Sequence, residues 1–255
     1  MNMKRYILAY VLFCFSAILY GQSQELFDKG VQAYNDGKYS EAISHYEDVI
    51  KSGVHSEAVY FNLGNCYYKL NQTAPSIYYY EKALLLDPDD TEIKNNLAFA
   101  KQMTLDAIEE MPQTGLAKLS QNITGAMTYE QWGLGSIIFI FLAVFAFILY
   151  YFLSYSNYKR VALVSSAVSV LLGIVSFAFA YSGQQSYYSD QPAIVFAEEI
   201  TVRSEPNRRS EPVFELHEGT KVQVLDQLED WQKIQLVNGQ EGWLHDSEIR
   251  LIKDF

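Results

Sequence analysis

The sequence predicts a multidomain membrane protein built from an all-α helical solenoid, a two-helix transmembrane hairpin and a small all-β barrel. Three observations predict this architecture. A pattern of small and aromatic residues recurs at a spacing of 34 residues, two long uncharged apolar runs follow it, and the C-terminal part alternates short apolar segments with turn residues. A chain of 255 residues has room for two small soluble domains beside the membrane segments.

Residues 1–21 are predicted to be a signal peptide. Lys4 and Arg5 precede an apolar run of about 15 residues, which is shorter than the roughly 20 residues that a membrane-spanning helix needs. We expect cleavage near Gly21. An uncleaved anchor is the alternative, because Leu19 is larger than the small residue that usually stands three positions before the cleavage site. In either case residue 22 onward is expected to leave the cytoplasm.

The next segment contains an internal repeat. Matching residues lie 34 positions apart: Phe27 and Phe61, Gly30 and Gly64, Tyr34 and Tyr68, Ile43 and Ile77, Tyr46 and Tyr80. Each unit has a small residue where its two helices touch, then a turn, then an aromatic residue on the second helix. This pattern resembles the tetratricopeptide repeat family. The resemblance implies a curved solenoid over 23–109, with repeats at 23–56 and 57–90 and a capping helix at 91–109.

In that family the first helix of each unit lines an inner groove. The positions that this implies here are Phe27, Val31, Tyr34, Phe61, Asn65, Tyr68, Glu92, Asn95 and Phe99. Such an aromatic and amide-rich surface suits an extended peptide or a partner helix. The alternative is that these aromatic side chains pack between helices. Some family members clamp a carboxylate with Lys and Asn, but only Asn62 matches that clamp, so we expect anionic peptide tails to be disfavoured.

Two membrane spans are predicted after a juxtamembrane linker at 110–131. The spans, 132–153 and 161–181, each contain about 20 uncharged residues, enough to cross a bilayer. The connecting loop, 154–160, carries Lys159 and Arg160, and basic loops favour the cytoplasmic side. Both soluble regions are therefore predicted to lie in the periplasm, on a multi-pass protein of a bacterial inner membrane. Because neither span contains Asp, Glu, Lys, Arg or His, ion transport is not expected.

The spans and the linker leave two questions open. Small residues at Ser165, Ser169 and Gly173 form a ridge that allows close helix approach. The ridge is predicted to seat the first span in the hairpin or, alternatively, to dock a partner's transmembrane helix. In the linker, an apolar stripe suits either a helix lying in the membrane interface or one packed on the repeats. The stripe consists of Leu116, Leu119, Ile123 and Met127.

A polar linker at 182–191 leads to a C-terminal domain at 192–255 that is predicted to have five or six short strands. Its motifs are Val202-Arg203-Ser204, Glu218-Gly219, Trp231 with Lys233-Ile234, and Gly242-Trp243-Leu244. They resemble the bacterial SH3-like domain. The resemblance implies binding of peptides or cell-wall material, with Trp231 and Trp243 as candidate ligand-contacting residues. The alternative is that both tryptophans cover the small barrel.

Composition and residue spacing exclude several classes of function. The net charge is −11 and no basic stripe is present, so nucleic acid is not an expected partner. His217 and His245 lack companion ligands at metal-binding spacing, and no nucleophile–base set is indicated. We therefore expect no metal site, no cofactor and no enzymatic activity.

The order of the modules resembles the BatE-type family of the Bacteroides aerotolerance operon. This resemblance implies a Gram-negative inner membrane and partners that include membrane-anchored von Willebrand factor A-domain proteins. The expected function is a non-enzymatic scaffold for protein–protein interaction, in an aerotolerance or envelope-stress complex. The alternative is a sensor or accessory protein whose SH3-like domain recognises peptidoglycan.

Overall fold

The computed structural model describes residues 23–106, 108, 115 and 125–254, which belong to two compact units. The first unit joins the described residues of 23–108 to 191–254, and the second contains those of 115–190. The predicted signal peptide lies outside the described residues, as do Leu116, Leu119 and Ile123 of the linker stripe. Met127 is described and is exposed.

Among the described residues, the helical part of the first unit has five helices, which pack in sequence order. They are α1 (23–35), α2 (Tyr39–Lys51), α3 (Glu57–Lys69), α4 (Thr73–Leu86) and α5 (Thr91–Lys101). The turns inside the two repeats hold Gly37 (φ 75°) and Asn71 (φ 58°), 34 positions apart, in the left-handed region that these residue types tolerate best. Ser56 and Asp90 cap α3 and α5 by accepting hydrogen bonds from main-chain N–H groups of the first turn.

Close helix contacts in the two repeats use the predicted glycine–tyrosine pairs. Gly30 faces the ring of Tyr46 and Gly64 faces the ring of Tyr80, and both tyrosines are buried. Ser76, in the place where the first repeat has Ala42, is fully buried and donates a hydrogen bond to the main-chain oxygen of Gly64 (3.0 Å). The serine therefore keeps the close packing and adds a polar tie between α3 and α4.

The strands of the first unit are β1 (Gln191–Val195), β2 (Glu199–Arg203), β3 (Pro212–His217), β4 (Lys221–Leu228), β5 (Trp231–Gln235), β6 (Glu241–His245) and β7 (Ile249–Leu251). Within the described residues they form one antiparallel sheet in the order β3-β2-β6-β5-β4-β1-β7. The all-β prediction is confirmed, but the sheet has seven strands rather than five or six. It also does not close into the predicted barrel, because β3 and β7 stay at opposite ends of the strand order.

The helical and β parts of this unit share a hydrophobic core. Ile194 of β1 and Ile252, just after β7, are buried in the same apolar cluster as Ile77 and Tyr78 of α4. The ring of Tyr78 also meets the ring of Phe196 edge to face, with centroids 5.6 Å apart. Two regions that are far apart in sequence thus fold as one body.

The second unit contains two long apolar helices, α6 (Tyr129–Phe152) and α7 (Ser156–Ser189). Both are long and apolar enough to cross a membrane by length and composition. Thr128 and Gln131 form a reciprocal capping box that begins α6. The helix α7 extends the predicted span 161–181 at both ends. It takes in most of the predicted loop 154–160 and, up to Ser189, most of the predicted linker 182–191.

The contact between α6 and α7 uses small residues, but in a register that differs from the predicted one. Ser166 is buried and donates a hydrogen bond to the main-chain oxygen of Ala143 (2.9 Å), whereas Ser165 is exposed. Gly173 is buried as predicted, and its Cα faces Ser136 and Phe139 of α6. Ser169 is half-buried. The contact face of α7 is therefore centred on Ser166 and Gly173, and Ser165 does not belong to it.

Candidate functional site

The two repeats and the capping helix α5 line an open groove of about 430 Å³. Most of the groove residues that the sequence predicted line it together: Val31, Tyr34, Phe61, Asn65, Tyr68, Glu92 and Phe99. They come from α1, α3 and α5, which are the helices that the repeat pattern assigns to an inner face. Phe99 is 55% exposed and Tyr68 is 36% exposed, so both rings are accessible to a partner.

Two predicted residues do not line this groove. Phe27 packs its ring against the ring of Tyr46, with centroids 5.6 Å apart, and lines a separate hollow of about 180 Å³. Asn95 is exposed but points away, because one residue of a helix turns the side chain by about 100°. Asn96 lines the groove in its place.

The groove also contains side chains that the sequence analysis did not select. They are Asn35, Asn62, Lys69, Asn96, Tyr46 and Tyr80. The six residues form three pairs at the repeat spacing, since Asn35 and Lys69, Tyr46 and Tyr80, and Asn62 and Asn96 each lie 34 positions apart. The sequence therefore held a usable signal, but the spacing alone does not show which equivalent positions face the groove.

A hydrogen-bond network fixes the C-terminal half of the groove. Asn65 Oδ1 accepts from the Tyr80 hydroxyl (2.6 Å) and from Asn96 Nδ2 (3.2 Å), and so connects α3, α4 and α5. Asn62 Nδ2 donates to the main-chain oxygen of Ala58 (2.8 Å). Asn65 and Asn62 therefore hold set orientations before any partner binds.

The first-repeat half of the groove is different. Tyr46 is fully buried, and its hydroxyl has no hydrogen-bond partner among the residues that the structure describes. Val31 stands where the second repeat has Asn65, so the side chain that satisfies Tyr80 has no counterpart for Tyr46. This asymmetry is the clearest chemical difference between the two repeats.

The groove is a neutral surface at physiological pH. Burial raises the pKa of Tyr34, Tyr46 and Tyr80, so their hydroxyls stay protonated. Lys69 and Glu92, of opposite charge, both line it. Nearby, burial raises the pKa of the Cys66 thiol to about 12, which leaves it unreactive as a thiolate.

The second candidate site lies on the β part of the first unit. Trp231 lines a hollow of about 370 Å³ together with Arg203, Arg208 and His245, and its ring meets the His245 ring edge to face. Glu199 and Glu248 also line this hollow. Arg203 donates from Nη1 to the main-chain oxygen of Ser210 (2.7 Å), which fixes the loop that carries Arg208.

Trp243 does not line that hollow. It is half-buried on β6, where its cross-strand partners are Lys233 of β5 and Arg203 of β2. Because alternate strand residues share a face, Trp243 and His245 emerge on the same side of the sheet. The structure thus places the two tryptophans on one face but brings only Trp231 into the hollow.

Polar contacts tie the helical part to the β part. The Asp106 carboxylate accepts from the main-chain N–H of His217 (2.8 Å) and from the Thr220 hydroxyl (2.5 Å), and it pairs with His217 Nδ1 (2.7 Å). Burial raises the pKa of Asp106, but the hydrogen bonds from Thr220 and His217 outweigh it and hold that pKa below its usual range. The hydrogen bond with Asp106 raises the pKa of His217.

Two further ion pairs cross between the same parts. Glu81 of α4 is buried and binds Lys221 Nζ (2.7 Å) and Lys101 Nζ (3.1 Å). Burial raises the pKa of Glu81, but the two lysines outweigh that effect and keep the carboxylate ionised. Lys82, also buried, pairs with Asp254, and burial lowers its pKa in spite of this partner.

None of these clusters forms a metal site. Within the described residues, no group of three or more His, Cys, Asp and Glu side chains could hold a metal ion.

Comparison with known proteins identifies both soluble modules. Residues 58–90 match the tetratricopeptide repeat family, and residues 198–250 match the bacterial SH3 domain family. Sperm-associated antigen 1 of Mus musculus is 33% identical over 79 residues, which make up 31% of this chain and 9% of that protein. The chain therefore spans less than a tenth of that relative's length. The matches confirm the predicted repeat and SH3-like modules, whereas the BatE-type resemblance stays a prediction.

Proposed function

We propose that this chain is a non-enzymatic, membrane-anchored scaffold that offers its helical groove to a partner protein. The observation that carries the proposal is the open groove between α1, α3 and α5, with accessible Tyr68 and Phe99 and a neutral amide lining. Tetratricopeptide and SH3 modules support an interaction role. The β part packs against α4 and leaves the groove open.

The proposed topology follows from the shared core of the first unit. Residues before α6 and residues after α7 pack together, so both must lie on the same side of any membrane that the two helices cross. A hairpin of two spans satisfies this condition. Lys159 and Arg160 near the start of α7 favour a cytoplasmic turn. We therefore place the first unit in the periplasm of a Gram-negative cell.

The resemblance to the BatE-type family supplies candidate partners. They are membrane-anchored von Willebrand factor A-domain proteins, and the proposed setting is an aerotolerance or envelope-stress complex. A partner on the same membrane faces a high effective concentration, so a groove of modest affinity is sufficient.

Site-specific photo-crosslinking in native membranes tests the scaffold. A photoreactive phenylalanine analogue replaces Phe99 in the groove, and the matched control replaces Leu86, which is 41% exposed at the end of α4 and does not line the groove. We expect a von Willebrand factor A-domain adduct from position 99 and none from position 86. Tyr68→Ala should remove the adduct.

Two outcomes would overturn the scaffold proposal. The first is an equal yield of the adduct from positions 99 and 86. The second is an adduct at position 99 that persists in the Tyr68→Ala protein, because the partner would then contact the region without using the groove.

Cysteine labelling tests the topology. Cysteines replace Asn157 near the start of α7 and Asn207 in the exposed β2–β3 loop, in a chain whose own Cys14 and Cys66 are serine. With the outer membrane permeabilised, a membrane-impermeant thiol reagent should label position 207 and leave position 157 unmodified. Labelling of position 157 in cells with an intact inner membrane would refute the periplasmic assignment.

A second candidate function is recognition of peptidoglycan by the SH3-like domain. The hollow at Trp231 favours it, because an aromatic ring there stands beside groups of both charges, Arg208 and Glu248 among them. Binding of the full-length protein in detergent to purified sacculi tests this. Trp231→Ala should then abolish binding, and Trp243→Ala, which lies outside the hollow, should not.

A further inference from the structure

The strongest unassigned feature of the molecule is the buried hydroxyl of Tyr46 at the groove. The equivalent hydroxyl of Tyr80, one repeat later, donates to Asn65 at 2.6 Å. Tyr46 has no such partner among the described residues, because Val31 occupies the position equivalent to Asn65. The two repeats share the tyrosine but differ in what the tyrosine can bind.

A buried hydroxyl without a partner is costly. Leaving a buried donor unsatisfied destabilises the folded state, and such a group in a native protein requires an explanation. Tyr46 lines the groove together with Val31 and Phe61, so an acceptor on a bound ligand can complete its hydrogen bonding. The Tyr80 hydroxyl cannot donate to a ligand in this way, since it already donates to Asn65.

The rest of the lining narrows the chemistry of the ligand. Carboxamides of Asn35, Asn62 and Asn96 can each still donate and accept, as the main chain of an extended peptide requires. Asn65, whose Oδ1 already accepts from Tyr80 and Asn96, can only donate. Lys69 and Glu92 offset each other's charge in a region that is otherwise acidic. Charged ligand side chains therefore gain little here, and an anion would be repelled by the acidic surroundings.

We propose that Tyr46 is a specificity-determining residue that donates a hydrogen bond to a main-chain carbonyl of a bound neutral, extended peptide segment. The segment places an apolar side chain against Val31 and Phe61. This inference rests on the proposed function of the groove. The first repeat binds the ligand through the Tyr46 hydroxyl. The second repeat, in which Tyr80 donates to Asn65, fixes the conformation of the groove.

The first part of the test compares Tyr46→Phe with the matched control Tyr80→Phe in the full-length protein without ligand. Tyr80→Phe removes a formed hydrogen bond, so its melting temperature should fall. Tyr46→Phe removes an unsatisfied hydroxyl and should leave the melting temperature unchanged or raise it. If Tyr46→Phe lowers it as much as Tyr80→Phe does, the hydroxyl has an internal partner and the proposal is overturned.

The second part measures binding. A phage-displayed library of random linear peptides is selected on the full-length protein in nanodiscs, and a recovered peptide whose binding requires Tyr68 serves as the fluorescent probe. Tyr46→Phe should weaken its binding about 3- to 10-fold, the effect of one net hydrogen bond. Val31→Asn should weaken binding similarly, because the new amide can engage Tyr46 as Asn65 engages Tyr80. Tyr80→Phe should change it less.

The outcomes separate this inference from the proposed function. If no peptide binds in a Tyr68-dependent way, the groove is not a peptide site and both proposals fail. If Tyr68-dependent peptides bind equally to the Tyr46→Phe and unchanged proteins, only the role of Tyr46 fails.

Replacing single peptide amides of the probe by esters, which weakens the carbonyl acceptor, should weaken binding most at one position. An equal effect of Tyr46→Phe on that ester peptide and on the parent peptide would contradict the assigned contact.

Discussion

At the residue scale, two glycines determine how closely the helices of each repeat approach. A Cβ atom at Gly64 would lie 2.6 Å from Cδ1 of Tyr80, and one at Gly30 would lie 2.5 Å from Cε1 of Tyr46. Neither tyrosine ring can move aside, since both are buried. The sequence predicted these contacts because the small and aromatic partners recur together at the repeat spacing.

Gly64→Leu should therefore lower the free energy of unfolding of the solenoid more than a substitution of an exposed groove residue does. We expect a loss of about 3 kcal/mol or more in the free energy of unfolding, since overpacking of a rigid contact has no room to relax. The measurement is urea unfolding of the detergent-solubilised protein, followed by circular dichroism. Ala98→Leu is the matched control: Ala98 is the equivalent position of α5 and is exposed, so its effect should stay within about 0.5 kcal/mol.

Tyr68→Ala provides the complementary comparison. Since Tyr68 is 36% exposed, its truncation should cost much less folding free energy than Gly64→Leu. An equal loss for both variants would identify Tyr68 as a core residue, and the groove assignment would have to be withdrawn.

The Asp106–His217 contact shows what the sequence could not predict at this scale. The two residues lie 111 positions apart, and no sequence motif links them. Only the docking of the helical part on the β part brings the carboxylate to the imidazole. His217 therefore takes part in a structural contact that no motif near it in the sequence predicts.

This contact makes the stability of the first unit depend on pH. Since the pKa of His217 is raised, protonated His217 stabilises the folded state fully below the unfolded-state pKa, about 6.5, and this contribution is lost as pH rises through the raised value. The pKa of Asp106 is lowered, so its contribution is present above about 3.8 and is lost as pH falls through the lowered value. The contact should thus be strongest in mildly acidic solution.

Melting temperatures between pH 5 and pH 8.5 measure this effect. The difference between the unchanged protein and His217→Gln should shrink as pH rises. The matched control is His217→Gln in an Asp106→Asn background, where the imidazole has lost this partner and the difference should depend less on pH. A constant difference for His217→Gln would exclude a protonated histidine at the contact.

At the scale of elements, the helices were predicted more reliably than their contact faces. The uncharged runs identified both apolar helices, because length and composition alone decide that question. Length and composition do not show which face of α7 contacts α6. Small residues occur at both Ser165 and Ser166, which are about 100° apart around the helix. The side chain that donates to Ala143 became known only from the packed pair.

The groove illustrates a similar limit. The repeat pattern located α1, α3 and α5 on the inner face, and so found Tyr68 and Phe99. It selected Asn95 rather than Asn96. Phe61 and Asn62 both line the groove, so the repeat spacing alone could not decide between their equivalents Asn95 and Asn96.

Leucine substitutions at the two adjacent serines of α7 test the register. Ser166→Leu should separate α6 from α7, because it removes a hydrogen bond and fills a contact that only small residues allow. Ser165→Leu, which faces outward, should have little effect. Disulfide crosslinking between cysteines at Ser136 and Gly173, which face each other, measures the contact in membranes. A larger loss of crosslinking for Ser165→Leu than for Ser166→Leu would mean that Ser165 faces α6, as the sequence predicted.

At the scale of the whole molecule, the unexpected result is that one body forms from regions on either side of the hairpin. The apolar docking residues Ile194, Phe196 and Ile252 lie outside residues 198–250, the part that matches the bacterial SH3 domain family. The polar contacts made by His217, Thr220 and Lys221 lie inside it. The family matches therefore identified the repeat and SH3-like modules but missed the apolar residues that join them. Their role depends on contacts with α4, which no repeat or strand pattern encodes.

The last prediction is that the two soluble parts unfold together. A soluble protein in which a flexible glycine–serine linker replaces residues 109–190 should show a single thermal transition by calorimetry, because Ile194 and Ile252 belong to the core of the helices. Phe196→Ala, which removes the ring packed on Tyr78, should lower that transition or divide it into two. Phe214→Ala, a half-buried aromatic in the separate core of the sheet, is the control and should lower the single transition without dividing it into two. Two independent transitions in the unsubstituted fusion would mean that the helical and β parts do not share a core, and the same-side argument for the membrane topology would lose its basis.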